Sequence, residues 1–234
     1  MSGFVGLRRC AAVMLGSCAI VLSGSASAGW PAPAPFEVAS IVVERNATDG
    51  DTEIVIEALA GDDGLVYLSI RTPHGRPVVL LASPDHTVMG LREFSFESPE
   101  PEGDAILASY PQGWYTFTGI SVTGEKFRSR ARLSHQMPEP TVILNPAPDA
   151  SVGTGELTIQ WSAVPGVAQY LVEFENESAD PEQSLTVNVP ASVTSFAVPP
   201  ALLVPGADYQ VGIATIARNG NVTFVESQFS TSED

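Results

Sequence analysis

The sequence predicts an all-β chain of two tandem antiparallel β-sandwich domains. Three observations carry the prediction. Short runs alternate apolar and polar residues at a period of two, as in Glu53-Ile54-Val55-Ile56-Glu57. Turn residues recur at intervals of about 8–12 positions, the spacing of short sandwich strands. No apolar period of 3.6 residues is sustained anywhere. The proline-punctuated stretch Met137-Pro138-Glu139-Pro140 interrupts the strands and sets the boundary, giving domains at 38–137 and 140–231.

The N-terminus reads as a targeting segment. Arg8-Arg9 precede an apolar run from Cys10 to Leu22, and Ala26-Ser27-Ala28 offers a small-residue cleavage site, so residues 1–28 are expected to be a signal peptide. That run falls short of the roughly 20 residues a membrane helix needs, and no later stretch is both long and apolar enough to span a bilayer. The expectation is an exported protein, periplasmic or secreted. In the alternative, Leu15-Gly16-Ser17-Cys18 acts as a lipoprotein signal and leaves a lipid-modified Cys18. Cys10 and Cys18 are the two cysteines, so a chain cleaved after Ala28 has no disulfide, no thiol nucleophile and no thiolate metal site. Alternating prolines from Gly29 to Pro35 forbid helix and predict an extended tether over 29–37.

The first domain opens at Val38. Strands are expected at 53–57, 66–71 and 77–82, the last two joined by Thr72-Pro73-His74-Gly75. Alternation at 91–97 places Phe94 and Phe96 on one face. Residues 113–122 and 126–134 flank Thr123-Gly124 as a hairpin. In the second domain, strands are expected at 157–162, 169–175, 184–189, 193–198, 208–217 and 221–229. Asn219-Gly220 is expected to close the last hairpin as a type I′ turn, because both residue types tolerate positive φ.

One constellation goes beyond pattern. Trp161 lies on an early strand, Tyr170 on the next, and Leu203-Val204-Pro205-Gly206-Ala207-Asp208-Tyr209 leads into a late one. Over about 90 residues this half resembles a fibronectin type III domain. The resemblance implies that Trp161 fills the core between two sheets, with Tyr170 packed beside it on the facing sheet. Leu203, Pro205, Gly206 and Tyr209 would form a corner whose Tyr hydroxyl bonds the backbone upstream. It implies a spacer, adhesion surface or accessory module rather than an enzyme. The Arg-Gly-Asp tripeptide of some members is absent. The first domain is assigned to no family, although its aromatic entry from Tyr110 to Phe117 is a common feature of immunoglobulin-like sandwiches.

Charge narrows the partners. Beyond residue 28 the chain carries 9 basic and 27 acidic side chains, and residues 140–234 hold Arg218 as their single basic residue. Phosphate backbones and anionic membranes repel such a surface, which argues against nucleic acid as a partner. Against this background Lys126, Arg128, Arg130 and Arg132 stand out: at spacing two on a strand they share one face, opposite Phe127, Ser129, Ala131 and Leu133. Such a stripe either docks an anionic partner or is neutralised by cross-strand acids such as Glu93 and Glu97.

The remaining candidates have simpler readings. Asn46 to Glu53 gathers oxygen ligands but lacks EF-hand spacing, and Asp62-Asp63-Gly64 is a natural turn. Trp30, Tyr110, Trp114 and Tyr115 could stack on sugar rings, yet Trp114 and Tyr115 are consecutive and point to opposite faces. His74, His86 and His135 are scattered, and neither a zinc motif nor a serine-nucleophile elbow is present. Three tripeptides, at Asn46, Asn176 and Asn221, match the glycosylation pattern. The sequence therefore predicts no catalytic residues, no metal and no cofactor. The expected function is a structural or protein-interaction module, or alternatively a carbohydrate-binding accessory protein, with a protein or glycan partner.

Overall fold

Alternation decides the strands, and proline and glycine decide where they stop. The structure, a computed structural model, describes residues 32–82, 90–99, 103–181 and 183–233. The expected signal peptide, the Cys18 alternative, Trp30 and His86 lie outside the described residues. The first half contains β1 (Val38–Asn46), β2 (Thr52–Leu59), β3 (Leu65–Arg71), β4 (Pro77–Ala82), β5 (Glu93–Glu97), a short helix α1 (Gly103–Ser109), β6 (Gly113–Ser121) and β7 (Lys126–Leu133). The second contains β8 (Ile143–Asn145), β9 (Ala150–Val152), β10 (Leu157–Trp161), β11 (Gln169–Asn176), β12 (Gln183–Pro190), β13 (Ser195–Val198), a 3-10 turn (Pro200–Leu202), β14 (Asp208–Ile216) and β15 (Val222–Thr231). The helix was not expected, because seven residues are too few to display a period. It is held by burial of Ile106 and by Arg76 Nη2, which donates to Ser109 O at 2.9 Å at its C-terminal end.

Three sheets form among the described residues. One is β4-β3-β6-β7, and a second is β13-β10-β8. The third runs through both halves in the order β12-β11-β14-β15-β1-β2-β5, with β9 added on β15. Two of its pairings are parallel among the antiparallel ones: β1 pairs with β15, Glu44 opposite Val222 and Asn46 opposite Phe224, and β9 pairs with β15 as well. No hairpin links β1 to β15, so nothing obliges them to run antiparallel, and their pairing covers backbone groups that would otherwise form open edges. Asn221 locks this seam. Its Oδ1 accepts from Val43 N at 3.0 Å, and its Nδ2 donates to Ser134 O at 2.8 Å and Gln136 O at 3.0 Å. Thr223 Oγ1 donates to Pro138 O and Thr215 Oγ1 to Glu139 O, both at 2.9 Å, so the proline-punctuated segment is anchored through its carbonyls.

The hairpin turns repeat one solution. In 72–76, 121–125 and 217–221 the first residue's N–H bonds the carbonyl of the fifth, and a glycine occupies the fourth position with positive φ. This is a three-residue loop with a glycine bulge, not the type I′ turn expected at Asn219-Gly220. Among the described residues Asp149 is the one non-glycine with positive φ, so Asn219 is not in the conformation a type I′ turn requires.

Two cores fill the space between sheets. In the first, Tyr115 and Phe117 are fully buried, and the Tyr115 hydroxyl donates to Pro111 O at 3.1 Å. Burial, with Tyr110 nearby as the second cause, pushes its pKa up to about 12. Phe36 packs against Phe117 and Phe127. The end of the expected tether is therefore part of the fold, because an aromatic side chain placed beside an open core gains more from burial than from solvent. In the second core Trp161 is 2% exposed and meets Tyr170 edge-on at 5.6 Å. Tyr209 stacks between Phe174 and Phe229 at 5.0 and 5.2 Å. Its hydroxyl accepts from Val204 N at 2.7 Å and donates to Leu202 O at 2.9 Å. Leu203 is buried beside this corner, and Pro205-Gly206 form the exposed turn, Gly206 at φ +67.

Candidate interaction face

The charged side chains sort by sheet. Strands β3, β4, β6 and β7 contain no Asp or Glu, yet they hold Arg71, Lys126, Arg128, Arg130 and Arg132, five of the nine basic residues beyond position 28. On β7 these alternate with buried Phe127 and Leu133, so Lys126 and the three arginines stand exposed on the outer face. Register places Arg71 and Arg130 on either side of Thr116, and Ser69 and Arg128 on either side of Thr118. Arg71 belongs to the same face but was missed in the sequence, because β3 and β6 become neighbours only through tertiary pairing. The Ser69 hydroxyl is buried on this face with no hydrogen-bond partner among the described residues.

The expected neutralising partners are elsewhere. Glu93 and Glu97 lie on β5, which pairs with β2 in the continuous sheet, so they cannot be cross-strand partners of β7. Arg128, Arg130 and Arg132 form no ion pair with a described residue. Arg130 instead lies over the Trp114 ring, 5.2 Å from its centroid, a cation–π contact. Trp114 is 49% exposed whereas Tyr115 is buried, so the consecutive pair does split between faces. The aromatic candidates therefore contribute Trp114 to this surface, with Tyr67 half-buried on the neighbouring strand β3.

The opposite pole is the outer face of the continuous sheet. Register puts Glu93, Glu97, Glu53, Glu57, Glu44, Glu226, Glu173 and Glu175 there, all on the side facing away from both cores. Glu173 and Glu226 flank Gly212, and a Cβ on that glycine would touch both side chains. Burial, followed by the charges of Glu175 and Glu226, raises the Glu173 pKa to about 7. Burial likewise raises Glu226, opposed by hydrogen bonds from Asn46 and Gln210.

Loops considered for calcium use their oxygens internally. Asn46 Oδ1 accepts from Thr48 N at 2.9 Å, and Asp49 Oδ1 accepts from Asp51 N at 3.0 Å. Asp63 accepts from Thr123, and Asp62 pairs with Arg92 at 3.1 Å. Among the described residues no group of three His, Asp or Glu side chains is arranged to hold a metal. All three asparagines of the glycosylation tripeptides are buried and hydrogen-bonded, which withholds them from modification in the folded chain.

No protein-family model matches the chain, and no curated protein matches its sequence. Among solved structures it is similar to the FN1–FN3 domains of chicken CNTN1, at 11% identity and a TM-score of 0.35, over 85% of this chain and 69% of that one. It is also similar to a two-domain fibronectin type III segment of chicken tenascin, at 14% identity and a TM-score of 0.31, over 85% of this chain and 99% of that one.

Proposed function

We propose that the chain is an exported, non-catalytic interaction module whose second half is fibronectin type III-like, and that it meets an anionic partner through the outer face of β4-β3-β6-β7. One observation carries the reading: these strands concentrate five basic side chains without a single acid in a strongly acidic protein. An exposed like-charged array attracts anions and is screened by salt. Nucleic acid is disfavoured as the partner, because the rest of the surface repels phosphate. The test uses polyglutamate and a sulfated polysaccharide as probes. Both arms are read at low and high salt, against Arg128→Glu/Arg130→Glu with its fold checked by circular dichroism. Binding that disappears with salt and with charge reversal is expected; no binding by the native protein to either probe would end the proposal.

Exposed Trp114 on the same face favours carbohydrate accessory binding as the second reading. A glycan array separates the two, since uncharged sugars would bind through Trp114 independently of salt. Export is tested by fractionation and N-terminal sequencing. Gly29 as the first residue is expected, whereas a blocked, lipid-modified Cys18 would replace free secretion with anchoring.

A further inference from the structure

An uncharged strand edge interrupts the acidic surface, and we infer that this edge, β12, pairs with the same edge of a second copy, joining two continuous sheets about a two-fold axis. The inference does not depend on the basic face, which lies on a different sheet. Residues 183–207 contain no Asp, Glu, Lys or Arg, and β12 begins this stretch. β12 ends its sheet, and its pairing with β11 runs over all eight of its residues without a bulge. Glu177 N–H bonds Asp208 C=O at 3.0 Å, so the odd residues of β11 exchange hydrogen bonds with β14 and the even ones with β12. Ser184, Thr186 and Asn188 stand opposite odd residues, so their N–H and C=O groups face away from β11. No described residue bonds them, and all three residues are exposed.

The other edges are closed, short, charged or interrupted. Ala34, Phe36 and β1 flank β7. β5 carries Glu93 and Glu97, and β8, β9 and β13 have only three or four residues each. β4 opens on Pro77 beside a register break. From Gln183 to Val189, by contrast, β12 has no charge, proline or bulge to keep another strand away. Its sequence suits its own copy. Antiparallel pairing centred on Thr186 sets Thr186 against Thr186, Ser184 against Asn188 and Leu185 against Val187. These are hydroxyl, amide and apolar pairs with no like charges opposed, and about six backbone hydrogen bonds close the seam. Pro190 lacks an N–H and stops the ladder. Glu173 lies opposite Thr186 on β11. Across the seam it stands three strand spacings, about 14 Å, from its own copy, beyond the roughly 8 Å screening length of physiological salt. Two strongly acidic chains repel one another over most of their surface, so an uncharged edge is where they approach most easily.

Sedimentation equilibrium of the exported chain should show a dimer that forms with rising protein concentration and strengthens with salt, the opposite sign to polyglutamate binding on the basic face. Thr186→Lys places two ammonium groups on the axis and should weaken dimerisation roughly tenfold, with its fold checked by circular dichroism. A disulfide reads the register. Beyond residue 28 the chain has no cysteine, and hydrogen-bonded strand partners lie about 5.5 Å apart at Cα, within disulfide reach. Thr186→Cys should therefore cross-link to its own copy under mild oxidation, whereas Ser184→Cys, which meets Asn188, should not. A chain that stays monomeric to millimolar concentration at high salt, with no Thr186→Cys cross-link, overturns the inference. So does a dimer that Thr186→Lys leaves unchanged, or equal cross-linking of the two cysteine variants.

Discussion

Replacing Glu173 with Gln should stabilise the protein at pH 8 and leave it unchanged near pH 4. Glu173 sits on β11 beside Gly212, with Glu226 across that glycine, and burial is the main reason its pKa rises from 4.5 to about 7. The folded state thus holds the proton more tightly than the unfolded chain does. Between about pH 4.5 and 7 the unfolded chain has lost this proton while the folded protein keeps it, so stability falls as pH rises through that window. Above it the full penalty is present: a gap of about 2.5 pH units corresponds to about 3 kcal/mol. Gln keeps the shape and never ionises, so it removes the penalty. For a chain of this size the gain is about 6–12 °C in Tm at pH 8. Thermal melts of both proteins from pH 4 to 8 provide the assay, with the difference growing through the window. A difference that is flat with pH, or a loss of stability at pH 8, would refute the assignment of a buried, charge-crowded carboxyl at this position.

Other outcomes follow from single contacts. Tyr209→Phe removes a hydroxyl that serves Val204 N and Leu202 O in a fully buried setting, and should cost about 2 kcal/mol in denaturant unfolding. Tyr115→Phe breaks one such bond, to Pro111 O, and should cost about half as much. Asn221→Ala leaves Val43 N and two linker carbonyls without their partner. It should lower stability by about 2–3 kcal/mol in denaturant unfolding, and an unchanged midpoint would count against its bridging role. Gly220→Ala places a methyl group at φ +90 and 2.9 Å from Val42 Cγ1; the melting temperature should drop, and an unchanged value would count against the close packing of this turn on β1.

Much of the fold was legible because strand signals are local. Period-two alternation locates β2, β3, β4, β6 and β7 within a residue or two, and Trp161, Tyr170 and Tyr209, aromatics on strands, are buried in the second core. The short elements escaped. β8 and β9 have three residues each and α1 has seven, too few for a period to register. The basic stripe was visible on β7 for the same local reason, whereas Arg71 and the absence of acids from its neighbours were not. The pairing with Glu93 and Glu97 failed because proximity in composition says nothing about which sheet a strand joins.

Side-chain period along single strands fixes the longer strands, the inward aromatics and the alternate exposure of Lys126, Arg128, Arg130 and Arg132. Tertiary structure alone decided the rest. The parallel pairing of β1 with β15 fuses two expected sandwiches through one sheet, and that pairing depends on edges far apart in the chain. The separation of charge, basic on the outer face of β4-β3-β6-β7 and acidic on the outer face of the continuous sheet, is a property of strand order. Strand order follows from which edges find partners, and no local period encodes it.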